Sequence, residues 1–223
     1  AVKVVDGKVA AEFSQLVKPA KPLPEFITRL TGIADRDLAK APAVREAMPS
    51  FLEFISGFTV VGQNIGFDVA FIRASAGMGT VAAPVDTCEF ARVLLPMLPS
   101  YSLDNLIEFF SLEPETRHRA LEDARMTAQV YLRLLEMLRL LPDGLLSEMA
   151  ALSSRTKSGL EAVFDSNLME RIGAPAERPA RPLPDARAES PDNIFGDFRA
   201  EIPEFSGEGG VVDESAVEDV LRG

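Results

Sequence analysis

VGQNIGFDVAFIR, residues 61–73, changes character in its middle. The run that leads into it, FTVVG (58–62), is short, apolar and rich in β-branched residues, and predicts a strand ended by polar Gln63 and Asn64. From Phe67 onward, Phe67, Ala70, Phe71 and Ala74 recur at three- and four-residue spacing, which predicts a helix over 67–76 with Asp68 in its first turn. A strand that runs directly into a helix is the repeating unit of α/β domains.

The flanking sequence supports that class. Residues 1–5, Asp6-Gly7 and residues 8–18 predict a β-hairpin, because Asp-Gly is a favoured two-residue turn and β-branched residues flank it. Pro19, Pro22 and Pro24 break its second strand, and helical turns are expected over 25–30 and 44–56, the latter kinked or restarted at Pro49. Residues 84–87 read as a short strand, and 89–95 and 102–110 as helices. The clearest element is 119–140, where Leu121, Ala124, Ala128, Tyr131, Leu134, Leu135 and Leu138 share one helical face.

The α/β domain is expected to span 1–140, followed by a helical connector over 141–174. Residues 175–203 hold six prolines among charged and small residues, so 175–223 reads as a disordered, Pro-rich acidic linker. Charge divides the same way. Residues 1–140 carry 15 basic and 17 acidic side chains against 8 and 17 in 141–223, so most of the net charge of -11 lies in the last third.

With no dominant basic face, adhesion to nucleic acid by charge alone is excluded, and an anionic substrate would need local help such as a metal ion. A single cysteine, Cys88, forms neither an internal disulfide nor a thiolate metal cage, which fits a cytoplasmic protein. No uncharged apolar run reaches the ~18 residues of a membrane span, so no membrane role is expected.

Two carboxylates and one imidazole then stand out. Asp68 and Asp123 each fall near the start of a helix that must also present an apolar face. Carboxylates that converge repel one another unless cations lie between them, and hard divalent cations prefer oxygen ligands. His118, the only histidine, precedes the long helix and has the one side chain whose unperturbed pKa lies near neutrality. Metal-activated water beside a base is a recurrent apparatus for phosphodiester hydrolysis.

Residues 61–73 and HRALEDARMTA (118–128) resemble the second and third motifs of the DnaQ-like 3′–5′ exonucleases, the His-containing branch of the DEDD superfamily. The first of these is carried by Gly62, Asn64, Phe67, Asp68, Phe71 and Ile72, the second by His118, Ala120, Asp123, Ala124, Thr127 and Ala128. TGI (31–33), VDT (85–87) and YSLDNL (101–106) occur in family order. The resemblance implies a ribonuclease-H-like mixed sheet flanked by helices and two Mg²⁺ or Mn²⁺ ions held by Asp68 and Asp123. His118 would be the general base, and Asn64, Phe67, Thr31, Gly32 and Ile33 would lie close to the terminal nucleotide.

Two departures from the family pattern matter. Gln63 stands where His is common, at a position that is not a ligand. The family's first motif, D-x-E-T-T-G, which supplies two further carboxylates from a central strand, is absent. The chain is therefore expected to be N-terminally truncated, weakly folded when made as such, and inactive on DNA by itself.

Residues 141–168 with the linker resemble the connector of fusions to a DinG-type helicase. No G-x-x-x-x-G-K-[ST] loop occurs here, so that helicase domain would lie downstream in cis. The function so implied is a metal-dependent 3′–5′ exonuclease acting on single-stranded or frayed DNA 3′ ends in repair or replication. The alternatives are polymerase proofreading of the ε type, RNA trimming, or an inactive nucleic-acid-binding domain.

Overall fold

The computed structural model describes residues 1–76, 81–114, 120–156 and 159–173. His118 and the expected linker 175–223 lie outside them.

Strands β1 (Val2–Val5) and β2 (Lys8–Glu12) form the expected antiparallel hairpin. Its turn places Asp6 at φ 51° and Gly7 at φ 73°, the two left-handed conformations that a type I′ turn demands. β2 ends at Glu12, short of residue 18, because Phe13 turns inward onto Phe51 and Phe54, with ring centroids 5.6 and 5.5 Å away. Three helices follow: α1 (Glu25–Thr31), α2 (Asp35–Leu38) and α3 (Val44–Ile55). α3 runs through Pro49 as one element, since Phe51, Leu52 and Ile55 beyond the proline are held against a buried cluster.

β3 is only Val61–Gly62, and it pairs in parallel with β4 (Val85–Asp86), placing Val61 opposite Val85 and Gly62 opposite Asp86. The expected strand at 58–62 thus contributes two paired residues. Helix α4 (Gly66–Ala76) leaves the end of β3, and α5 (Thr87–Leu94) leaves the end of β4. α6 (Leu103–Phe109) is capped by Ser102, whose hydroxyl accepts from the Asn105 N–H. α7 (Ala120–Leu140) is the long helix that its periodicity predicts.

The apolar faces meet in two clusters. The larger joins Val85 of β4 and Phe90, Ala91 and Leu94 of α5 to Leu106 of α6 and Val130, Leu134 and Leu138 of α7. Helices α8 (Asp143–Ser153) and α9 (Leu160–Gly173) complete it with Leu146, Leu160, Val163 and Phe164. Arg171 ties this pair to the end of α7, its guanidinium donating to the carbonyls of Leu138 (2.8 Å) and Leu141 (2.7 Å) and pairing with Asp143 at 2.6 Å. Gly159, just before α9, passes so close to the chain before β4 that a Cβ there would sit 2.2 Å from the Pro84 carbonyl oxygen. The smaller cluster packs Ile65, Val69, Ile72 and Val81 against α3. Among the described residues, no helix is long and apolar enough to cross a membrane.

The two strand pairs do not join. Among the described strands, β1 bonds only to β2, and β3 only to β4.

Candidate active site

The interruption between the sheets is a cleft of about 1070 Å³. Val2, Lys3 and Val4 of β1 form one wall, Val61 and Gly62 of β3 line another part, and α7 contributes Ala124, Thr127, Ala128 and Tyr131. Phe51, Phe54 and Ile55 of α3 add apolar surface. Lys3 lies over the rings of Phe54 and Phe58, at 4.8 and 4.4 Å from their centroids, so its charge is held against aromatic faces at the rim.

Asp68 and Asp123 both line this cleft. Each sits in the first turn of its helix, α4 or α7, where the positive end of the helix dipole favours a carboxylate. Asp68 is exposed, yet the cleft wall takes away part of its water. That partial burial pushes its pKa above the ordinary carboxylate value, against the opposing pull of a hydrogen bond with its own backbone.

A connected set of bonds holds the turn from β3 into α4. Asn64 adopts φ 51°, a left-handed conformation that asparagine tolerates better than most residues. Its N–H donates to Asp86 Oδ1 at 3.1 Å, and the same oxygen accepts the Cys88 N–H at 2.8 Å, capping α5. Gln63 Nε2 donates to the Tyr101 carbonyl at 2.6 Å. The Thr87 hydroxyl lies 2.5 Å from Gln63 Oε1 and 3.2 Å from the Gly62 carbonyl, and donates its single proton to one of the two. VDT and YSLDNL, recognised in the sequence only by their order, thus converge on the loop that launches Asp68. Periodicity carried no hint of this, because the partners are more than 20 residues apart.

Other motif residues fall elsewhere. Asn64 and Phe67 are exposed at the start of α4, beside the cleft-lining Asp68. Thr31, Gly32 and Ile33 close the end of α1: the Thr31 hydroxyl donates to the Ile27 carbonyl and accepts the Ile33 N–H. These three are not among the cleft-lining residues. Among the described residues, no group of three or more His, Cys, Asp or Glu side chains is placed to hold a metal ion. The two aspartates therefore match a hard divalent cation in kind but not in number, and more oxygen donors would be needed to complete a shell.

Helices around two small unjoined sheets, with two carboxylates lining the cleft between them, make this an α/β domain. The exonuclease family model matches residues 1–131, and the chain belongs to that family. It is similar to the PolC-type DNA polymerase III of Caldanaerobacter subterraneus, with 40% identity over 62% of this chain and 10% of that protein. The ε subunit of DNA polymerase III from Aquifex aeolicus is 37% identical over 62% of this chain and 70% of its own length. The 3′-5′ exonuclease DinG of Bacillus subtilis is 30% identical over 76% of this chain and 19% of that protein. The chain thus spans about a tenth of the PolC-type relatives it matches. Among solved structures, exonuclease X in complex with 5′-overhanging duplex DNA superposes with a TM-score of 0.51 and 26% identity, covering 60% of this chain and 79% of that one. The fold is therefore the ribonuclease-H-like exonuclease fold.

Proposed function

We propose that this chain is the exonuclease part of a DNA repair or replication protein, removing nucleotides from single-stranded or frayed 3′ ends. The observation that carries this reading is the placement of Asp68 and Asp123 on one cleft within the span that matches the exonuclease family. In this reading both aspartates hold divalent cations, Mg²⁺ or Mn²⁺, two in number. A bound divalent cation would neutralise phosphate charge and ease deprotonation of the attacking water. His118 would take the proton from that water, while Asn64, Phe67 and the Thr31–Gly32–Ile33 turn would hold the terminal nucleotide.

The cleft also supports an N-terminally truncated domain. It is lined by residues of both β1 and β3, which are not joined to each other. The division proposed is a catalytic domain at 1–140, a connector at 141–174 and a linker at 175–223. Fusion to a DinG-type helicase is part of the same proposal; the similarity to the 3′-5′ exonuclease DinG extends past residue 140 into the connector and covers only 19% of that protein.

The test is a full-length protein, expressed from the whole reading frame and assayed with Mg²⁺ on 5′-labelled single-stranded DNA. Stepwise shortening from the 3′ end is expected, with the 223-residue chain inactive alongside it. His118→Ala should reduce kcat about 10²–10⁴-fold while leaving metal binding nearly intact. A full-length protein that binds DNA but never shortens it would overturn catalysis and leave the binding-domain reading. That second reading draws its support from the shortage of a third carboxylate among the described residues.

A further inference from the structure

We infer that Asp86 is a positioning residue for the reaction, acting on Asp68 through the turn at residues 62–65 without touching substrate. The inference rests on the reading that Asp68 belongs to the divalent-ion site.

An aspartate before a helix is ordinarily a cap, and the bond from the Cys88 N–H to Asp86 needs no other explanation. The bond from the Asn64 N–H does, because it reaches across 22 residues to the end of the neighbouring strand. One carboxylate oxygen thereby joins the start of α5 to a residue in a left-handed conformation, two positions before α4 begins. Asp68 lies four residues beyond Asn64, in the first turn, where helix geometry lets little slack develop between the two. Thr87, fully buried, adds a second tie by donating its hydroxyl proton to the Gly62 carbonyl or to Gln63 Oε1. Asp86 itself is not among the cleft-lining residues. Its effect on the cleft therefore passes through the turn. Removal of the shared acceptor frees the Asn64 peptide to leave its strained conformation and lets the first turn of α4 shift, and Asp68 moves with it.

The experiment compares full-length wild type, Asp86→Ala, Asp86→Asn and Asp68→Asn in DNA hydrolysis titrated with Mn²⁺. Asn keeps a side-chain oxygen that accepts both N–H groups and loses only the charge. Asp86→Ala should raise the half-saturating Mn²⁺ concentration about tenfold, the lower end of what outer-shell partners of metal ligands contribute. Its kcat should fall while KM for DNA stays near wild type, and Asp86→Asn should recover most of the loss. An Asp86→Ala protein with wild-type half-saturation and kcat overturns the inference, as does an Asp86→Asn protein equally impaired, since charge rather than hydrogen bonding would then be responsible. Should Asp86→Ala fail to fold, Thr87→Val removes the second tie. It must then raise the Mn²⁺ requirement in the same direction, and no change refutes the positioning role. Asp68→Asn separates the two layers: an unchanged Mn²⁺ dependence in that variant removes Asp68 from the ion site and defeats the underlying reading instead.

Discussion

The two sides of the interrupted sheet differ in how completely they are covered. On the β3–β4 side, Val85, Phe90, Leu106, Val130, Leu134 and Leu138 have no solvent exposure, because α5, α6, α7, α8 and α9 close over them. On the β1–β2 side every residue of β2 is exposed, β1 is only partly buried, and the cleft lies alongside β1. The closed side thus stabilises the domain, and the open side borders the cleft that Asp68 and Asp123 line. The divalent-ion candidates stand between them, on helices rooted in buried packing and facing the cleft.

Substitutions can break this contrast. The largest effect is expected from Leu134→Ala in the closed core, about 2–5 kcal/mol by urea unfolding, since the lost methyl groups leave a cavity among well-packed neighbours. Val9→Ala on the open hairpin, where Val9 is 47% exposed, should stay within about 0.5 kcal/mol. Equal losses at the two sites would show that the sides are not energetically distinct. Next comes Gly159→Ala. Its Cβ would collide with the Pro84 backbone, and the strain of overpacking is about 1–3 kcal/mol. Hydrogen exchange should locate the loss in α8 and α9 and spare the β1–β2 hairpin.

The smallest effect concerns the tie between the hairpin and α7. Arg125 donates to both oxygens of Glu12 at 2.8 Å, and this hydrogen bonding holds the Glu12 carboxyl below its ordinary pKa. A carboxyl with a lowered folded-state pKa contributes stability above its unfolded pKa and loses it as pH falls through the folded value. Amide protection of residues 8–12 should therefore decline with acidification, and Glu12→Gln should abolish that dependence while leaving α7 protected. An unchanged pH profile in Glu12→Gln would detach the hairpin from this ion pair.

Asp68 has the opposite sign. Its raised pKa means that the carboxylate form, which a cation requires, is completed over a higher pH interval than in an ordinary aspartate. Mn²⁺ affinity of the full-length protein should increase over that interval and lose the dependence in Asp68→Asn. A flat profile would mean that Asp68 is not a ligand.

Short-range signals were readable without coordinates. The Asp6-Gly7 turn and the helices α4 and α7 each depend on neighbours within a few residues and stand where their patterns place them, although of the α7 stripe only Leu134 and Leu138 are buried. The two aspartates were readable too, through motif order. The parallel pairing of β3 with β4 was not, because strands of two residues have no periodicity and their register depends on partners 24 residues away. The folding of α8 and α9 onto the same core as α5 and α7 also escaped composition, since amphipathic helices show an apolar face without naming what it meets.

The sequence by itself determined the class of the domain and its acidic candidates, because those are matters of residue identity and local spacing. Only the tertiary structure decided that Asp68 and Asp123 share one cleft, that the cleft separates two unjoined sheets, and that Asp86 holds the turn before Asp68. Each of these depends on distant segments meeting, and packing and hydrogen bonding across long loops settle that meeting, not the preferences of any one segment.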